Sequence, residues 1–156
     1  MRPMMRVCWW KWIGRKKTVY EPPKRRRLTK AERETVYAMC GGRCAYCGAL
    51  IELKDMQVDH VVPMEFCNAY QAIGVEPDSL DSLDNYLPAC RSCNHYKSTF
   101  TVEKFRKAIE RYPIVLERDN ATYRNAVRFG MVEPKKKKIR FYFELLDVEV
   151  PSLEWR

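Results

Sequence analysis

No stretch of this chain approaches the roughly 18 consecutive apolar residues that a membrane span needs. Near the start, the apolar cluster Val7–Trp10 is ended by Lys11. It is too short for a signal-peptide core of about 7–15 residues. A soluble, cytoplasmic protein with no membrane partner is therefore expected. Histidine is scarce, with two in all, His60 and His95. No internal repeat is visible, and the only low-complexity run, Lys135–Lys138, reads as a solvated turn before it reads as a phosphate contact. Acid is almost missing from the first thirty residues, which hold Glu21 against eleven Lys and Arg.

That last shortage shapes the charge map. The chain carries a net charge of +9 over 156 residues. Beyond residue 30, eighteen basic and nineteen acidic residues nearly cancel. A basic arm thus precedes a neutral body. Such an arm attracts polyanions through counterion release, and nucleic acid is the usual partner. The plainer alternative is a solubilising tail. Trp9, Trp10, Trp12 and Tyr20 are interleaved with Lys and Arg in the arm, where they either stack on bases or pack back on the body. Arg25, Arg26 and Arg27 at its root are the candidate DNA contacts.

The seven cysteines are not scattered evenly, because four form two C-x-x-C pairs, Cys44/Cys47 and Cys90/Cys93. Without a secretory context a disulfide framework is not expected. Zinc favours four thiolates in a tetrahedron at roughly 2.3 Å. Two such knuckles supply that set, and 42 residues lie between Cys47 and Cys90. The metal would therefore close a large loop. A thioredoxin-like redox role needs a βαβ context that is absent. Cys8, Cys40 and Cys67 lack partners at ligand spacing and read as ordinary apolar or free thiols.

The elements around the knuckles follow from local signals. Thr29 and Glu32 form a capping-box pattern that opens a helix through Val36 and Met39, stopped by Gly41-Gly42. Residues 56–62 are rich in Val, partly alternate, and read as a strand ended by Pro63. A long connection over 64–84, with a short helix near 65–73, leads to the second knuckle. A helix is expected to begin there and carry Asn94, His95 and Lys97. Another is expected over about 102–111, capped by Thr101, with Val102, Phe105 and Ile109 on its buried face. A further helix is expected near 117–128. Ile139, Phe141, Phe143 and Leu145 alternate with polar or charged neighbours and read as a late strand.

Between and just after the knuckles stand Asp59-His60, Asn85 and Asn94. The order Cys44-x-x-Cys47, Asp59-His60-x-x-Pro63, Asn85-x-Leu87, Cys90-x-x-Cys93-Asn94-x-x-Lys97 resembles the HNH endonuclease family in its zinc-bound, bacterial or phage form. The resemblance covers about residues 29–100. It implies that His60 is the general base toward an attacking water and that Asp59 binds a divalent cation. Asn94 would be the second ligand, at a position where many members carry His. Asn85 would brace the loop and the imidazole. The products implied are a 5′-phosphate and a 3′-hydroxyl.

The chemistry is reasonable on these residues themselves. An imidazole with a pKa near 6.5 accepts a proton at neutral pH. A hard cation such as Mg²⁺ or Mn²⁺ prefers the oxygens that Asp59 and Asn94 offer. Taken alone, His60 could be a satisfied core histidine and Asn94 a helix cap. Only one of Asn94 and His95 can face Asp59, since neighbours on a helix diverge by about 100°; the motif favours Asn94. Lys97 shares the Asn94 face and reads either as a phosphate contact or as a plain surface lysine. Adjacent strand residues point to opposite faces, so Asp59 and His60 require the strand to end or twist there.

The expected protein is α+β. A ββα-metal core stapled by a four-cysteine zinc site carries flanking helices and a late C-terminal strand. The divisions expected are an arm over 1–28, a nuclease core over 29–112 and an extension over 113–156. Hydrolysis of DNA phosphodiesters, on double-stranded substrate, is the leading expectation. The alternatives are a non-catalytic zinc module that binds nucleic acid and a nuclease acting on RNA.

Overall fold

Thr29 opens the first helix as its sequence pattern requires. In the computed structural model, which describes residues 25–66 and 80–151, helix α1 spans Lys30–Ala38. The Thr29 hydroxyl accepts from the Glu32 amide at 3.3 Å, and Glu32 Oε2 accepts from the Thr29 amide at 2.7 Å. Each group thereby satisfies an amide that the first helical turn leaves unpaired. One face of α1 buries Val36 against Met56 and Tyr86. The chain then turns at Gly41 and Gly42, both in the left-handed region with φ of 57° and 72°. A Cβ on Gly42 would lie 2.8 Å from the Tyr37 hydroxyl.

The turn delivers the first knuckle. The Cys44 amide donates to Ala49 O at 2.8 Å, and the Ala45 amide to Pro88 O at 2.8 Å. The second of these bonds ties the knuckle to the sheet. Strands β1 (Gln57–His60) and β2 (Tyr86–Ala89) pair antiparallel, with Asp59 opposite Leu87 and His60 opposite Tyr86. All of β2 is buried. Helix α2 (Arg91–Lys97) follows directly, with Cys90 as its N-cap. Two strands and a helix, preceded by a cysteine knuckle and joined by a second, are the expected core of an α+β domain.

Helix α3 (Val102–Glu110) is capped by Thr101 and buries Phe105. Val102 and Ile109 pack beside it on the same core, as their spacing predicts. Beyond it, the single helix expected over 117–128 is two: α4 (Tyr112–Asp119) and α5 (Ala121–Arg128). Asn120 separates them. Its backbone is extended, and its side chain accepts from the Tyr123 amide at 2.9 Å. A residue that caps the next helix cannot continue the previous one.

The late strand is not formed. Residues Tyr142–Leu145 make a short helix, α6. No strand lies beside this segment among the described residues to complete a ladder. Its amides pair instead with the first knuckle: Tyr142 N donates to Tyr46 O at 3.2 Å and Phe143 N to Ala45 O at 2.8 Å. Glu144 Oε2 accepts from Phe141 N at 2.7 Å and closes the turn. The period of two that suggested a strand serves here to bury Phe141 and Phe143 together. Both rings join Tyr46 and Phe105 in one aromatic cluster, with the Tyr46 ring edge-on to Phe105 at 5.4 Å and to Phe141 at 5.2 Å. Arg106 seals the edge with a bidentate grip on Glu144, at 3.0 and 2.5 Å. The short helix expected near 65–73 begins as a single 3-10 turn, Met64–Phe66, and the rest of that stretch lies outside the described residues.

Candidate metal centre and cleft

The sulfurs of Cys44, Cys47, Cys90 and Cys93 all lie within 4.8 Å of one another. Cys47 and Cys90, from different knuckles, stand 3.9 Å apart. A tetrahedron with metal–sulfur bonds of about 2.3 Å sets sulfurs about 3.8 Å apart, so the four can grip one ion with little adjustment. Donation from the Cys93 thiol, together with amides of the knuckles, draws the Cys44 thiol down to about 4. The amide of Cys93 also points at Cys90 Sγ, at 3.4 Å. Cys40 is buried in the adjoining core and is not part of the set. Cys8 and Cys67 lie outside the described residues.

Gly48 closes the first knuckle with φ of 73°. The Tyr142 ring lies against it, 3.1 Å from where a Cβ would sit. The knuckle therefore has a side-chain lid from the C-terminal segment as well as a backbone clamp.

The two knuckles govern what lies beneath them. Tyr46, between Cys44 and Cys47, donates its hydroxyl to Asp59 Oδ2 at 2.5 Å. Lys97, on the last turn of the helix that begins at Cys90, sets its ammonium 2.9 Å from the same oxygen. That ammonium also donates to His60 O at 2.7 Å. Burial pushes the Asp59 carboxyl up, and the Lys97 charge and the Tyr46 hydroxyl pull against it. Burial, followed by the nearby Asp59 charge, pushes the Tyr46 phenol well above its ordinary value, so it remains a donor.

Asp59, His60 and Asn94 line one cleft of about 140 Å³, with Arg25 and Glu65 at its mouth. Asp59 and Asn94 are 35 positions apart in the chain, and the second knuckle brings them to a common wall. His60 is the last residue of β1, where the strand ends as the Asp59-His60 pairing required. His95 is exposed and rests edge-on against Tyr96, away from that cleft. Asn85 is buried and does not reach the cleft. Its amide accepts from Val62 N at 2.8 Å and donates to Val62 O at 3.0 Å and Leu80 O at 2.7 Å. It braces the chain just beyond His60.

Lys97 is the main correction to the sequence reading. It is neither a surface lysine nor free to meet a phosphate: it is fully buried, with its charge spent on Asp59. Helical spacing gives the face a residue takes but not what covers that face. Of the three candidate arginines, Arg25 is exposed at the cleft mouth and pairs with Glu65 at 3.0 Å. Arg26 is engaged with Glu32 at 2.6 Å and with Asp81. Arg27 is exposed.

Asp81 and Tyr86 were not anticipated. Asp81 Oδ1 lies 2.9 Å from His60 Nε2 and also accepts from the Tyr86 hydroxyl. Its other oxygen accepts from the Arg26 amide at 2.7 Å. The Tyr86 ring stands edge-on to the imidazole, with centroids 5.0 Å apart. Asp81 sits in the acidic Asp78–Asp84 stretch, which has no local signal to set one carboxylate apart from its neighbours. Tyr46 had a signal, its place between the two cysteines of a C-x-x-C knuckle.

A comparison with curated proteins finds no match. A family model does match, that of the HNH endonucleases, over residues 44–100. The matched span begins at the first knuckle cysteine and contains both strands, the second knuckle and α2, and with them every residue that lines the cleft except Arg25. Over residues 44–100, then, this chain is similar to the HNH endonuclease domain.

Proposed function

We propose that the chain is a divalent-metal-dependent endonuclease that hydrolyses DNA phosphodiesters, with His60 as general base and Asp59 and Asn94 as cation ligands. The observation that carries this reading is the convergence of a carboxylate, an imidazole and a carboxamide on one cleft. The tetrathiolate set is assigned to structural zinc, since four sulfurs leave no open position for substrate.

Asp59 and Asn94 present hard oxygen donors, which suit Mg²⁺ or Mn²⁺. With Oδ2 of Asp59 taken by Tyr46 and Lys97, Oδ1 is the oxygen left for a cation. When bound, such an ion would neutralise charge on the phosphoryl oxygens and the leaving 3′ oxygen. His60 removes a proton from water as its oxygen bonds to phosphorus. The bond from phosphorus to the 3′ oxygen breaks and that oxygen takes a proton from solvent water, giving a 5′-phosphate and a 3′-hydroxyl. Asn85 holds the backbone after His60 so that the imidazole keeps its aim. Arg25 stands where a neighbouring phosphate would pass, and the basic arm supplies attraction independent of sequence.

The test is plasmid nicking with and without added Mg²⁺ or Mn²⁺, comparing wild type with His60→Ala. Metal-dependent nicking by wild type alone is expected, with DNA retention unchanged in the variant. Equal nicking by both proteins overturns the base assignment. Equal inactivity of both, in folded zinc-loaded protein, favours a module that binds nucleic acid without cutting it.

A further inference from the structure

We propose that Asp81 is a positioning residue for His60, forming a carboxylate–imidazole dyad that fixes the ring so that Nδ1 is the proton-accepting nitrogen. The inference rests on the nuclease reading above and adds to it the orientation of the base.

The geometry has three parts. First, the contact is direct: Asp81 Oδ1 stands 2.9 Å from His60 Nε2, and both side chains are nearly enclosed, at 12% and 10% exposure. Second, Asp81 is itself held on every side. Its Oδ1 also accepts from Tyr86, its Oδ2 from the Arg26 amide at 2.7 Å, and its backbone oxygen from Arg26 Nε at 3.0 Å. A carboxylate so anchored is a fixed reference for the ring. Third, Tyr86 packs edge-on against the imidazole and blocks rotation on that side.

The protonation states follow. Asp81 is largely removed from water, yet donation from the Arg26 amide, Tyr86 and His60 holds its carboxyl below the ordinary range. It is ionised near neutrality and can only accept. Burial and the adjacent Asp81 push the Tyr86 phenol up to about 12, so Tyr86 donates. The proton in the His60–Asp81 contact must then reside on Nε2. A neutral imidazole carries one N–H and one lone pair, which leaves the lone pair on Nδ1. This logic is general: the partner of one ring nitrogen determines what the other can do. The dyad also joins the root of the basic arm to the base, because Arg26 makes two of the bonds on Asp81.

The chain has only two histidines, so a protein labelled with ¹⁵N-histidine gives two imidazole patterns, with exposed His95 as internal reference. At alkaline pH, where imidazoles are neutral, wild-type His60 should show the Nε2-protonated pattern. In Asp81→Asn the His60 pattern should shift toward a mixture of tautomers while His95 is unchanged. In nicking assays on zinc-loaded protein, Asp81→Asn should lower kcat by roughly 10²-fold, within the range for general-base catalysis. KM and DNA affinity should stay within about twofold of wild type. Wild-type kcat and an unshifted tautomer in Asp81→Asn, with His60→Ala inactive, overturn the dyad and leave the nuclease reading standing. Full activity of His60→Ala overturns both. Should Asp81→Asn fail to retain zinc, the wild-type spectrum decides: an Nδ1-protonated His60 overturns the proposal.

Discussion

The ammonium of Lys97 lies 2.9 Å from Asp59 Oδ2, and neither side chain is more than 5% exposed. A buried pair of this kind contributes little net stability compared with an apolar replacement of both partners, but removing one partner leaves a charge with no counterion.

Lys97→Met should therefore destabilise the fold by about 3–5 kcal/mol in buffer free of Mg²⁺. Added Mg²⁺ or Mn²⁺ should recover more stability in the variant than in wild type, because the Asp59 carboxylate then lacks its internal cation. Thermal melts of zinc-loaded protein with and without the ion measure both effects. A variant as stable as wild type, and no more responsive to the ion, would show that the pair is not what neutralises Asp59.

Metal removal at the tetrathiolate should be felt at the cleft. Tyr46 hangs from the first knuckle, and Asn94 and Lys97 hang from the helix that starts at the second. Cys90→Ser is expected to lose the bound zinc, seen as a fall from about one zinc per chain. It should also lose the near-ultraviolet signal of the Tyr46–Phe105–Phe141 cluster and all nicking. Retention of that signal without zinc would mean the sulfurs are not the staple.

Asn85→Ala strips partners from the Val62 amide, the Val62 carbonyl and the Leu80 carbonyl at once. Unsatisfied buried groups cost about 1–3 kcal/mol each, and partial relaxation should leave a net loss of roughly 2–4 kcal/mol. Denaturant unfolding measures it. A loss below about 1 kcal/mol would point to water replacing the carboxamide.

The Arg106–Glu144 clasp gives a pH signature. Although burial works against it, donation from Arg106 and from the Phe141 amide holds the Glu144 carboxyl below its ordinary value of 4.5. A depressed carboxyl stabilises the fold above the unfolded value and loses that contribution as pH falls through the folded one. Glu144→Gln should thus cost about 1–2 kcal/mol near pH 7, allowing for partial solvent screening. The difference from wild type should shrink progressively below about pH 4.5. Paired melting curves across that range test it, and a gap independent of pH would remove the charge from the explanation.

What was legible in the sequence is what short spacing encodes. The Thr29–Glu32 cap, the two knuckles and the Asp59-His60 pair each span four residues or fewer, and each is found where its spacing implies. The cleft was legible only through the family pattern, because Asp59 and Asn94, far apart in the chain, come to one lining only through the tertiary fold. The burial of Lys97 was not legible, since a helix pattern does not reveal a carboxylate waiting across a strand. Nor was Asp81, whose role depends on a loop returning to the imidazole. The alternation over 139–145 reported burial correctly and hydrogen bonding wrongly: Phe141 and Phe143 are inside, but their segment bonds to knuckle carbonyls.

Because Phe141, Tyr142 and Phe143 cap the Cys44–Cys47 turn from outside the span matched by the family, that span borrows part of its core from residues beyond it. A fragment cut at residue 100 would bare one flank of Tyr46, lose the Phe105 packing, and leave the sulfur cage open to chelators and oxidants. Protein engineers who transplant this domain should carry the distant tail along, or design a substitute aromatic cover for the four cysteines.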